Sequence, residues 1–89
     1  MLTEQQKIEA AERGAHWGQQ EADLQLEAVA SGHQRTTANW TANTWCGPIP
    51  FDRRDDATAD LANEYENILD RAAQAAYEAA IEAAQAVQA

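Results

Sequence analysis

Cysteine occurs once in these 89 residues, at Cys46, which excludes an intrachain disulfide and any cysteine-rich zinc centre. Proline occurs only at Pro48 and Pro50, and glycine only at Gly14, Gly18, Gly32 and Gly47, so long stretches contain no helix breaker. No apolar run approaches the roughly 18 residues of a membrane span, and no basic stretch leads into a short apolar one as in a secretory leader. The expectation is a cytoplasmic protein, in the host cytoplasm if the source is a phage, with no membrane contact. Positive charge is scarce as well: 6 Lys and Arg stand against 15 Asp and Glu, a net charge of −9. Such a surface repels a phosphate backbone, so direct nucleic-acid binding is not expected. Large apolar side chains are the last shortage. Hydrophobic residues make up 45% of the chain, but 21 of them are alanine, which leaves little material for a wide core.

What remains is alanine-rich and helix-favouring at both ends. Thr3 and Gln6 have the spacing of a capping box, and Ser31-Gly32 supplies a stop in which glycine takes the left-handed conformation. A helix is therefore expected over 3–30. Ile8, Ala11, Ala15, Gly18, Ala22, Leu26 and Val29 fall within about 80° of one another and form its expected seam. A second helix is expected over 57–88, capped by Asp55 or Asp56. Its apolar face comprises Leu61, Tyr65, Ile68, Leu69, Ala72, Ala76, Ala80, Ala83 and Val87, with Tyr77 and Ile81 off it. The fold class that follows is all-α: one domain, 1–89, arranged as an antiparallel helical hairpin. The connection, 31–56, is long and holds Trp40, Trp45 and Phe51, so it reads as an aromatic-rich cap on the hairpin or as a binding surface.

The acids are ordered. Asp56, Asp60, Glu64, Glu78 and Glu82 share about 80° of arc opposite the apolar face, with Glu66 and Asp70 beside them. Like charges one turn apart weaken a helix by a few tenths of a kcal/mol per pair. The row is either a solvated outer face or a surface complementary to a basic partner. A second apolar strip on the first helix, Ala10, Trp17, Leu24 and Ala28, lies opposite Ile8 and needs a cover of its own. Trp17, Leu24, Trp40, Trp45 and Phe51 are the expected interface residues, and assembly into a homo-oligomeric bundle is the expected solution. Glu12 and His16 share a side of the helix, but without a second such pair they make no metal site. Cys46 with His33 or His16 lacks any feature that would lower the thiol pKa. No catalytic residue, metal or cofactor is expected.

The string Cys46-Gly47-Pro48-Ile49-Pro50-Phe51-Asp52-Arg53-Arg54 resembles part of the zinc finger of the TraR/DksA family of RNA polymerase regulators. Asp52-Arg53-Arg54-Asp55-Asp56-Ala57 is similar to the Asp-x-x-Asp-x-Ala tip that the family's longer members carry on an antiparallel coiled coil. Three of the finger's four cysteines are missing. The resemblance implies that Asp52, Asp55 and Ala57 would enter the polymerase secondary channel.

Three functions are thus expected to compete. The leading one is a non-enzymatic inhibitor or modulator of a basic partner protein, including a nucleic-acid-binding one, in the manner of phage anti-defence or anti-CRISPR proteins. The alternatives are a structural subunit such as a phage particle component, and the polymerase regulator that the resemblance implies.

Overall fold

A computed structural model describes residues 1–32 and 48–88 of the chain. The described residues form two long α-helices in extensive mutual contact, with no strand among them. Helix α1 runs Glu4–Ala30 and α2 runs Ala59–Gln88. The overall extents are 49 × 23 × 15 Å, a short rod.

Both ends of α1 follow from local chemistry. The Thr3 hydroxyl accepts the Gln6 amide at 3.1 Å while the Gln6 side chain accepts the Thr3 amide at 2.9 Å, a complete capping box. At the other end Ser31 is the C-cap and Gly32 has φ +78°, the left-handed conformation that glycine adopts without penalty. Helix α2 starts two residues later than expected. Its approach is a turn in which the Asp52 carboxylate accepts the Arg54 amide and the Asp55 carboxylate accepts the Ala57 amide, at 2.8 and 2.9 Å. The Asp55 carbonyl then accepts the amides of Thr58 and Ala59. Asp55 is the carboxylate at this helix start, and Asp56 is exposed.

The two helices run parallel. Gly14 faces the backbone of Leu69 and Gly18 that of Ala73, so both chains advance in the same direction. Tyr65 bonds to Arg13 and Glu9 near the starting ends, and Ile81 and Ala84 line a cleft with Leu26 and Val29 near the finishing ends. The paired helices expected from the sequence are present, but their antiparallel sense is corrected. The reason is chain length. The 28 residues between Ala30 and Ala59 reach about 90 Å when extended, whereas α1 is about 40 Å long, so the chain can return to the start of α1 before α2 begins.

The phase is corrected too. On α1 the buried residues are Ala10, Gly14, Gly18, Ala22 and Gln25, while Ile8 and Val29 are 49% and 53% exposed. On α2 Ala62, Tyr65, Leu69 and Ala73 are buried, Ala83 and Val87 are exposed, and Tyr77 and Ile81 are half-buried. Gly18, Ala22, Tyr65 and Leu69 keep their expected places, but the contact face is turned from the apolar stripe read off the sequence by about 60° on α1 and about 40° on α2. Close approach explains the shift. A Cβ on Gly14 would stand 2.0 Å from the Leu69 carbonyl oxygen, and one on Gly18 would stand 2.0 Å from that of Ala73. With hydrogen in place of Cβ the two backbones touch, gaining dispersion and weak Cα–H···O contacts along two turns. Bulky Ile8, Leu26 and Val29 would hold the helices apart.

The largest buried side chains are Tyr65 and Leu69, in a core with Leu2 and Ala10. Trp17, Ile49, Phe51, Leu61 and Ile68 pack against it, and Phe51 meets Tyr65 edge-on with ring centroids 6.2 Å apart. Arg13 joins these parts, donating to the Tyr65 hydroxyl at 2.9 Å and to the Pro48 carbonyl at 2.7 Å. Arg13→Met keeps most of the packing and removes both bonds. The expected result is a loss of about 1–3 kcal/mol, with faster chymotryptic cleavage at Phe51. Unchanged cleavage would mean that residues 48–51 are held by packing alone.

Candidate functional site

The acidic row does not survive as one surface. Asp56, Asp60, Glu78 and Glu82 are exposed, as expected of an outer face. Glu64 is half-buried and accepts the Leu2 amide at 3.4 Å, and Glu66 is half-buried and paired with Arg53. Asp70 is only 4% exposed, and its Oδ1 has no hydrogen-bond partner among the described residues. Burial pushes its pKa up to about 6, and the carboxylate of Glu66 one turn earlier adds to the rise. The cause of this rearrangement is the rotated seam of α2, which turns toward the flank that carries Glu66 and Asp70. A purely helical-wheel reading places both on the solvent side because it takes the seam from the largest apolar residues.

The expected interface residues also separate. Trp17 is half-buried against the core, and Leu24 is 48% exposed. The strip Ala10, Trp17, Leu24, Ala28 is therefore not a second free face, since Ala10 is fully buried. Phe51 serves the core through Tyr65. Trp40 and Trp45 lie outside the described residues, as do Cys46 and His33. Asp52 and Asp55 accept backbone amides of their own turn, just before α2.

Parallel packing brings both helix C-termini to one pole, and the charges sort with them. Among the described residues every Lys and Arg, namely Lys7, Arg13, Arg53, Arg54 and Arg71, belongs to the half of the rod that holds the helix starts, and Arg35 lies outside the described residues. Residues 19–32 and 72–88 carry Glu21, Asp23, Glu27, Glu78 and Glu82 and no Lys or Arg. Neither helix has a basic residue in its last turn, so no side chain of either helix's own last turn compensates the negative partial charge of its end. At this pole the helices part around a cleft of about 490 Å³, lined by Gln25, Leu26, Val29, Ala30, Ile81, Ala84 and Gln85. Gln25 is buried, and its Oε1 has no hydrogen-bond partner among the described residues. The sequence signal for this site was available in part: basic residues are missing from the last third of each helix. That the two segments share one end was not.

Among the described residues no group of three His, Cys, Asp or Glu is placed to hold a metal, and no helix is long and apolar enough to cross a membrane. No family model, curated protein or solved structure matches this chain.

Proposed function

We propose that this chain is a small, acidic, non-enzymatic binding protein that inhibits or modulates a basic partner protein, including a partner that itself binds nucleic acid. A phage anti-defence or anti-CRISPR inhibitor would have this character. The observation that carries the reading is the set of exposed carboxylates in the turn before α2 and on the outer face of α2. Among the described residues Asp56, Asp60 and Glu82 make no ion pair or hydrogen bond, and Glu78 accepts a neutral bond from Gln74 at 3.3 Å. Exposed carboxylates with no cationic partner among the described residues produce a negative field that attracts and orients a basic surface.

The test uses whichever basic protein is captured from the source cell. Association should slow as ionic strength rises and the screening length falls from about 10 Å to about 3 Å. Asp60→Lys combined with Glu82→Lys should slow it at least about tenfold at low salt, with circular dichroism unchanged. Equal rates for both proteins at low salt would dispose of the reading. The exposed Ile8, Leu24 and Val87 support assembly of the chain into a homo-oligomer. Leu24→Glu should then lower the mass seen by light scattering while leaving helicity intact.

A further inference from the structure

We infer that the cleft between the C-terminal ends of α1 and α2 is a docking groove for a basic amphipathic helix of a partner protein, whose apolar residues enter the cleft while its Lys and Arg meet the surrounding acids. The inference rests on the acidic-partner reading above and assigns it a place.

Three observations converge on that occupant. First, the walls are apolar, with Leu26 and Val29 on one side and Ile81 and Ala84 on the other. A volume of about 490 Å³ accommodates two or three large apolar side chains, as helix-in-groove recognition requires. Second, the edges are acidic on both helices. Asp23 and Glu27 continue the α1 edge past Leu26, and Glu78 stands one turn before Ile81 on α2; all three are exposed. No Lys or Arg is present in residues 19–32 or 72–88, and the two helix C-termini add negative potential to the same pole. Third, Gln25 in the wall is buried with its Oε1 unmet among the described residues, and a side-chain donor on the incoming helix would satisfy it once the cleft opens. A neutral apolar ligand would leave the rim unused, and an acidic segment would be repelled by it. A second copy of this chain would bring a net charge of −9 to the acidic pole.

The experiment titrates the full chain with two synthetic probes of equal length and charge: a leucine–lysine peptide in amphipathic helical register, and a serine–lysine peptide with no apolar face. Ala84→Phe plugs the cleft without altering charge, and Glu27→Gln with Glu78→Gln neutralises the rim without altering the cleft. Circular dichroism confirms that each variant is folded. The expected result is that the leucine–lysine peptide binds at least about tenfold more tightly than the serine–lysine peptide, and that each variant removes about tenfold of that affinity. Equal binding of the two peptides, with Ala84→Phe silent, would overturn the groove while leaving the acidic-partner reading standing. Failure of both peptides to bind at low salt would overturn both. If Ala84→Phe instead lowers the mass of the free protein in light scattering, the occupant is a second copy and the inference is wrong.

Discussion

Gly14→Ala is expected to destabilise the protein by about 3 kcal/mol or more, and Gly18→Ala by a similar amount. Alanine is the best helix former, and in an exposed helix interior the same change would stabilise by about 1 kcal/mol, so the sign alone discriminates. At these two positions the added methyl would stand 2.0 Å from a backbone carbonyl oxygen on α2, and within 3.0 Å of the carbon atoms behind it. A carbonyl held in a helix cannot rotate away as a flexible side chain can. The helices must separate, and every contact along the seam from Ala10 to Ala22 weakens together. Urea denaturation followed by far-ultraviolet circular dichroism measures the loss. The double variant should fail to fold cooperatively, because a domain of this size has a total stability of only about 5–10 kcal/mol. An increase in stability in either single variant would show that the backbones are not in contact.

Asp70 gives the second large effect, and its sign is unusual for a carboxylate. Its pKa is raised from 3.8 to about 6, first by burial and then by Glu66. Below about pH 4 the folded and unfolded chains both hold the proton, so the group contributes no penalty. Between about pH 4 and about pH 6 only the folded chain holds it, and stability falls as pH rises through that window. Above about pH 6 the folded protein contains an ionised carboxylate whose Oδ1 has no hydrogen-bond partner among the described residues, and the accumulated cost is about 2–3 kcal/mol. Asp70→Asn removes the charge at nearly constant shape. It should raise stability by about 1–2 kcal/mol at neutral pH, the remainder being lost to unmet amide donors, and change little at pH 4. The measurement is the difference in denaturation midpoint between the two proteins across that range, which cancels the contribution of the other acids. A constant difference from pH 4 to pH 7 would mean that Asp70 is solvated in the folded protein.

Gly18 and Ala22 stand in the seam expected from the sequence, whereas a linear reading passes over Gly14 and places Asp70 on the solvent side, and the two misses have one origin. Apolar periodicity weights Ile8, Leu26 and Val29 heavily and so draws the stripe away from Ala10 and Gly14, whereas the helices meet where side chains are smallest. The spacing Ala10, Gly14, Gly18, Ala22, four small residues at successive steps of four, was the legible signal for close approach. Once the seam is placed there, α2 must rotate to match it, which carries Asp70 and Glu66 inward and leaves Asp56, Asp60, Glu78 and Glu82 as the exposed remainder of the acidic row.

The features that sequence alone determines are those closed within a few residues. The capping box of Thr3 and Gln6, the left-handed Gly32, the all-α class and the near-equal helix lengths depend on hydrogen bonds and propensities inside one turn, and local sequence contains all their terms. Direction is different. A connection of 28 residues permits either sense at almost equal entropic cost, because loop closure grows only logarithmically with length. The choice belongs to the tertiary contacts: Gly14 on Leu69, Gly18 on Ala73, and Arg13 tying Tyr65 to Pro48. That choice also distributes the charge. In an antiparallel pair the acid-only end of each helix would lie beside the other's basic-containing start; in the parallel pair the acid-only ends coincide and enclose an apolar cleft. Electrostatic potential sums over neighbours in space, so the acidic pole exists only once the direction of α2 is set.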